Sequence, residues 1–282
     1  MKDKLKFFLL KLKYALTSQS SGNLNTLFGH LDAKRPFVFE DKYTDFKVWM
    51  RSMHKSSEII HTLNSTNIST NDIRILEFGC GDGMVGYQFY TGGLDIEFLD
   101  IEDWRKERAK VIPLRIHDIT QDIEVDKKFD LIYSFDTFEH ILDPFQALVN
   151  FKKVLNDDGH IYLSFVPLYY SAYGMHLHNM FNIPFPQLIF SDDFLMNKIK
   201  ERGIKDLGRD RVEIQPLNKF RFQDYLDAIS KAGFEVISLK VGRDLSQTKF
   251  IFKNTKYLKR NHLKLDDLVL NSVKVLLKKK SA

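Results

Sequence analysis

From residue 72 onward, short apolar runs alternate with stretches of helical period. The runs are "IRILEF" (73–78), "DIEFLD" (95–100), "IPLRI" (112–116), "FDLIYSF" (129–135) and "HIYLSFV" (160–166). Each has the length and composition of a strand in a sheet covered on both faces. Between the last two lies "DPFQALVNFKKVL", a helix with Asp143 placed as N-cap and Pro144 at its first position. "NDDG" (156–159) then turns the chain into the fifth strand. Alternation of this kind predicts an α/β fold with a doubly wound, mostly parallel sheet.

The flanks complete the picture. Upstream, "YTDFKVWMRSMHKSSEIIHTL" (43–63) reads as a helix. Downstream, the helix "FQDYLDAISKAG" precedes "FEVISLKV" (234–241) and "KFIFKN" (249–254). Only "GRDLSQT" separates those two runs, too little for a crossover helix, so an antiparallel hairpin is expected there. Residues 167–219 are long for a connection and rich in aromatics and histidines, which suggests a lid or substrate wall inserted after strand five. The resulting partition is an N-terminal segment 1–42, a catalytic domain 43–254 and a tail 255–282.

Composition changes the reading mainly at the ends. The chain has 282 residues, 44% hydrophobic and 28% charged, as in a soluble globular protein. A single cysteine, Cys80, rules out an intrachain disulfide and a cysteine-based zinc site, and fits a reducing, cytoplasmic setting. The net charge of +5 divides into +4 over residues 1–20, +7 over 253–282 and −6 over 21–252. An acidic middle argues against nucleic acid as a partner. No run approaches the roughly 20 apolar residues of a membrane span. Lys11 and Lys13 interrupt the N-terminal apolar stretch, against a cleaved leader. Leu5, Phe8, Leu9 and Leu12 share one helical face, as do Leu265, Leu268, Val269, Val275 and Leu276 before Lys278–Lys280. Basic amphipathic ends suit peripheral contact with an anionic bilayer. They equally suit helices packed on the domain with their lysines in water.

The first strand runs into "EFGCGDGMVG" (77–86). A glycine-rich turn between strand and helix lets backbone approach a ligand beside free helix N–H groups. Gly81-x-Gly83-x-x-Gly86 also satisfies the dinucleotide fingerprint, but that fingerprint should start directly after the strand, at Gly79, and its third glycine then falls on Met84. What fits the strand end is Glu77-x-Gly79-x-Gly81-x-Gly83. This resembles motif I of the class I S-adenosylmethionine-dependent methyltransferases, over roughly residues 70–166 and 220–254. The resemblance implies a seven-stranded sheet ending in an antiparallel hairpin and S-adenosylmethionine as cofactor. It implies Glu77, Gly79, Cys80, Gly81 and Gly83 around the cofactor, with Asp136 beside it. It also implies Asp100 on the ribose hydroxyls next to Ile101, Asp118 at the adenine amine, and Ile119 against the ring. An unrelated Rossmann-like domain is the competing reading.

The acceptor side is expected after the fourth strand, in "SFDTFEHILDP". Asp136, Glu139 and His140 stand at i, i+3 and i+4, one face of a helical turn. Two carboxylates and an imidazole suit a divalent cation of the Mg, Mn or Fe type. The pattern is similar to the Glu-x-x-Glu-His motif of ubiquinone-biosynthesis and small-RNA 2′-hydroxyl methyltransferases, with Asp136 in place of the first Glu. The latter group implies a further histidine after strand five, where His176 and His178 stand. Without a metal, His140, His176 or His178 becomes the general base, with Glu139 shaping the loop. The expected activity is O-methylation of a sugar hydroxyl in a bacterial surface glycan or its precursor, the acceptor partner being a small molecule or glycan, by broad resemblance to methyltransferases found with bacterial surface-polysaccharide enzymes. The alternatives are a membrane-associated polyprenyl-phenol or catechol acceptor, an RNA 2′-hydroxyl and a non-catalytic S-adenosylmethionine-binding scaffold.

Overall fold

The computed structural model describes residues 7, 9–11, 24–34, 44–177, 180–203, 214–258 and 262–280. They fall into two compact units, one from 42–165, 223–240 and 273–282, the other from 1–41, 166–222 and 241–272. The first unit carries the sheet. Its strands are β1 (Arg74–Phe78), β2 (Asp95–Asp100), β3 (Leu114–Ile116), β4 (Phe129–Phe135), β5 (Leu155–Phe165), β6 (Phe234–Arg243) and β7 (Leu270–Lys279). The order is β3-β2-β1-β4-β5-β7-β6. Pairing is parallel from β3 across to β5, and β7 runs antiparallel to β5. The expected seven-stranded sheet with an antiparallel end is present.

Helices follow in chain order as α1 (Leu24–Lys34), α2 (Asp45–Ser65), α3 (Met84–Thr91), α4 (Pro144–Val154), α5 (Pro186–Ile189) and α6 (Asp192–Arg202). After them come α7 (Phe222–Lys231), α8 (Thr248–Lys253), α9 (Thr255–Leu258) and α10 (Leu265–Val269). Helix α2 buries Val48, Ser52, Ser56, Ile59 and Leu63, a 4-4-3-4 spacing that places them on one stripe. Glu58 pins this helix to the sheet, accepting from Lys274 Nζ at 2.5 Å and from the Tyr162 hydroxyl. Burial raises the Glu58 pKa, but those hydrogen bonds outweigh it and hold the carboxyl below its ordinary value. The Asp143 cap forms as expected, accepting from Gln146 N at 3.0 Å with Pro144 at N1. "NDDG" becomes a bulge, because the register jumps from Phe129–Leu155 to Leu131–His160.

The C-terminal half of the expected hairpin is corrected. Residues 249–254 are not a strand; helix α8 occupies Thr248–Lys253, with Phe250 and Ile251 buried. The strand beside β6 is β7, inside the segment read as a surface tail. Val275, Leu276 and Leu277 are buried in succession there, since β7 sits between β5 and β6 with both faces covered. Lys278 pairs with Asp158, and Lys279 reaches the Leu155 carbonyl at 2.7 Å. Residues 255–258 and 262–280 of the segment read as a tail are thus part of the fold, and 270–279 form a strand and not a basic bilayer helix.

The second unit has its own core. Phe28 of α1 meets Phe181 and Phe190 edge-on, each at 5.4 Å between ring centroids. Ile183, Phe185, Leu195, Ile251, Leu258 and Val269 fill the interior around them. Arg202 donates to the Met180 carbonyl at 2.7 Å and pairs with Asp32. The described apolar residues of the 167–219 insertion therefore serve mainly as core, packed among α1, α8, α9 and α10. Phe7 and Leu10 pack on the same core, and Lys11 pairs with Asp266. Leu5, Phe8, Leu12 and His178 lie outside the described residues. Among the described residues no helix is long and apolar enough to cross a membrane.

Candidate cofactor site

At the C-terminal end of β1 three alternate glycines take left-handed backbone: Gly79 (φ 66°), Gly81 (φ 52°) and Gly83 (φ 70°). Side chains rarely tolerate that region. Two of the three are also hemmed in. A Cβ on Gly79 would lie 2.3 Å from the Thr137 side chain, and one on Gly83 2.7 Å from Ala109. Gly81 differs, since nothing stands within 4 Å of where its Cβ would be. The loop is packed on both shoulders and open at its middle. Gly86 is a packing glycine, where a Cβ would run into Phe98 at 2.2 Å.

The loop is held from three sides. Gly79 N donates to the Leu99 carbonyl at 2.8 Å, continuing the β1–β2 ladder by one residue. Asp100, at the end of β2, accepts from Gly81 N at 3.0 Å and from Ile101 N at 2.8 Å, one bond to each oxygen. Thr137 Oγ1 bonds the Gly79 carbonyl from beyond β4. Asp82, just before α3, accepts from Met84 N at 3.0 Å and pairs with Arg51 of α2 at 2.9 Å.

Beneath the loop lies Glu77, 3% exposed. Its Oε2 accepts from Gly86 N at 2.9 Å and from the Tyr133 hydroxyl at 2.8 Å. Burial pushes its pKa up to about 8 in spite of those donors. Glu77 thus acts on the site from below, by fixing the first turn of α3. Cys80 is buried at 6%, and desolvation together with the nearby Glu77 and Asp100 raises its thiol pKa, which disfavours the thiolate.

The remaining expected residues divide. Ile101 is 60% exposed, an apolar surface directly beside Asp100. Asp118 is exposed, and its Oδ1 accepts from Thr120 N and Oγ1 at 2.9 and 2.8 Å. Ile119 does not face outward as expected: it is 1% exposed, turned into the core while its carbonyl takes Asn150 Nδ2 at 2.7 Å. Asp136 has φ 52°, and its Oδ2 accepts from Lys55 Nζ of α2 at 2.7 Å. Glu139 and His140 share a 3-10 turn over Phe138–His140, with Glu139 buried at 1%. His176 belongs to the other unit, at φ 60°. Sequence reasoning missed Arg51, Lys55, Asp82, Tyr133 and Thr137. Their partners lie 31 to 81 residues away in several cases, beyond any local pattern.

Residues 51–239 match a protein family described as "Methyltransferase domain". The curated relatives matched include the ubiquinone biosynthesis O-methyltransferase of Coxiella burnetii, 24% identical over 132 residues, which is 44% of this chain and 56% of the relative. The chain thus spans little more than half the length of that relative. Among solved structures it is similar to an S-adenosylmethionine-dependent methyltransferase of Methanosarcina mazei (TM-score 0.51, 15% identity, 79% of this chain and 98% of the other). It is also similar to one of Clostridium acetobutylicum (TM-score 0.50, 15% identity, 92% and 100%). Those two likenesses bear on the fold, and the family match extends over two-thirds of the sequence. The chain belongs to the methyltransferase-domain family, on the fold of the class I S-adenosylmethionine-dependent enzymes.

Proposed function

We propose that the chain transfers the methyl group of S-adenosylmethionine to a hydroxyl oxygen. The observation that carries the cofactor half is the open middle of the glycine loop, where Gly81 leaves room beside the Asp100 carboxylate. Bound there, S-adenosylmethionine supplies a methyl group already activated by its sulfonium. Asp100 keeps lone pairs on both oxygens for the ribose diol, a charge-assisted pairing. Exposed Ile101 offers a face for the adenine, and the second oxygen of Asp118 an acceptor for its amine. Glu77, Gly79, Cys80 and Gly83 shape the loop. Asp136, held by Lys55, borders it.

The oxygen acceptor is supported by the name of the Coxiella relative, which favours a phenol or catechol carrying an apolar chain. A sugar hydroxyl of a surface glycan or its precursor is the second reading. Its support is the pair of partly exposed tyrosines, Tyr170 and Tyr173, in the insertion. In either case His140 is the proposed base that takes the hydroxyl proton. Alternatively, Glu139 and His140 hold a divalent cation that lowers the pKa of the hydroxyl. Incubation with labelled S-adenosylmethionine and separate panels of catechols and nucleotide sugars tests the proposal. Label should pass to one panel through an alkali-stable ether; transfer to nitrogen acceptors alone would overturn it. Manganese titration into chelator-treated protein, with Glu139→Ala as control, tests the cation.

A further inference from the structure

The two edges of the sheet are treated very differently. One edge is β3, three residues long. The other is β6, ten residues long, with no proline and with Val236 (41%), Ile237 (41%) and Leu239 (39%) exposed. Proteins usually blunt an edge by shortening it, adding proline or turning charges inward, because an open edge offers a row of unpaired N–H and C=O groups. β3 is blunted by its length. β6 is long, sets exposed Val236, Ile237 and Leu239 among the charged Glu235, Lys240 and Arg243, and at Phe234–Arg243 spans about 33 Å.

The side chains of β6 match a second copy of the same strand. In an antiparallel pair, directly opposed residues point to the same face, so a two-fold pairing must centre on a residue and not between two. Centring on Leu239 sets Leu239 against itself, Ile237 against Val241 of the second copy, and Glu235 against Arg243 of the second copy. Apolar then meets apolar and each end closes with an opposite-charge pair. Centring on Ile237 would set Glu235 against Leu239, and centring on Ser238 would set Val236 against Lys240. Among the three, the Leu239 register alone sets no apolar side chain against a charged one. Arg243 lies over the Phe7 ring at 5.4 Å, a contact that leaves its N–H edge for a carboxylate.

We infer that two copies of this chain associate through β6, antiparallel about a two-fold axis at Leu239, joining their sheets into one. Three strands, β4, β5 and β7, separate β6 from β1, so the cofactor loop stays clear of the junction. Association of this kind is isologous, each copy presenting the same strand.

The test uses the full chain. Light scattering of the wild type should give twice the monomer mass, and Leu239→Arg should give the monomer with S-adenosylmethionine binding retained. Glu235→Arg should also dissociate it, and the double change Glu235→Arg with Arg243→Glu should restore the dimer. Leu239→Cys should cross-link on oxidation, whereas Lys240→Cys, whose copies are offset, should not; the native Cys80 is buried and does not compete. A monomeric wild type would overturn the inference. So would a dimer that survives Leu239→Arg, or a charge exchange that restores nothing.

Discussion

The Asp100 carboxylate accepts the Gly81 amide at 3.0 Å, joining the end of β2 to the one glycine of the loop that faces open space. Its other oxygen takes the Ile101 amide at 2.8 Å. A carboxylate has about four acceptor positions, so each oxygen can take a further donor. The same residue that sets the loop is thus available to a bound diol. Replacing it with Asn puts an amide donor against a backbone N–H and removes the charge. Asp100→Asn should weaken S-adenosylmethionine binding at least tenfold, taking about 1.5–3 kcal/mol for a charge-assisted bond; calorimetry measures it.

Gly79 and Gly81 share left-handed backbone but should respond differently to a methyl group. Gly81→Ala meets no atom and should cost about 1–2 kcal/mol of stability, the strain of that conformation. Gly79→Ala adds a collision with Thr137 at 2.3 Å and should cost clearly more. Denaturant titration of both variants checks the order. Equal losses would mean that Thr137 does not seal the loop.

Glu77 gives the protein a predictable pH dependence. Its folded pKa is raised to about 8 by burial, above the ordinary 4.5, so the folded state binds the extra proton. The contribution to stability is full below about pH 4.5 and is lost as pH rises through about 8, at a limiting slope of about 1.4 kcal/mol per pH unit. Glu77→Gln keeps an acceptor for Gly86 and Tyr133 without titrating. Its stability relative to wild type should therefore improve with pH between 5 and 8, as read by thermal denaturation; a flat difference would contradict the assignment.

Arg51 reaches 31 residues along the chain to Asp82, tying α2 to the cofactor loop. Both groups are partly exposed, so the pair should contribute only about 0.5–1 kcal/mol to stability. Arg51→Ala should lower cofactor affinity severalfold while leaving the unfolding midpoint nearly unchanged. Binding titrations in low and high salt check this, since the wild-type advantage should shrink as salt screens the pair.

The parallel half of the sheet was readable because each strand is a single apolar run ending at a turn residue. β2 and β4 keep the bounds 95–100 and 129–135 read from the sequence. The other end misled for a physical reason. "KFIFKN" has strand-like composition, yet Phe250 packs on Phe185 at 6.0 Å and the segment goes helical. β7 hides behind lysines at both ends of its apolar run and resembles an amphipathic tail until β5 is seen beside it. In the candidate site, the meeting of Gly79, Gly81 and the end of β2 was legible because the loop is continuous and β2 follows closely in the chain. Ile119 was not, because a one-residue rotation decides between core and ligand. The Lys55–Asp136 pair was not, because the two residues stand 81 positions apart in the chain.

The most direct measurement is calorimetric titration of S-adenosylmethionine into the wild-type chain and into Gly81→Ala. The structure predicts one saturable site per chain in the wild type, and loss of that site in a variant that remains folded. Undiminished binding by Gly81→Ala, or no binding by the wild type, would contradict the assignment of the glycine loop as the cofactor cradle.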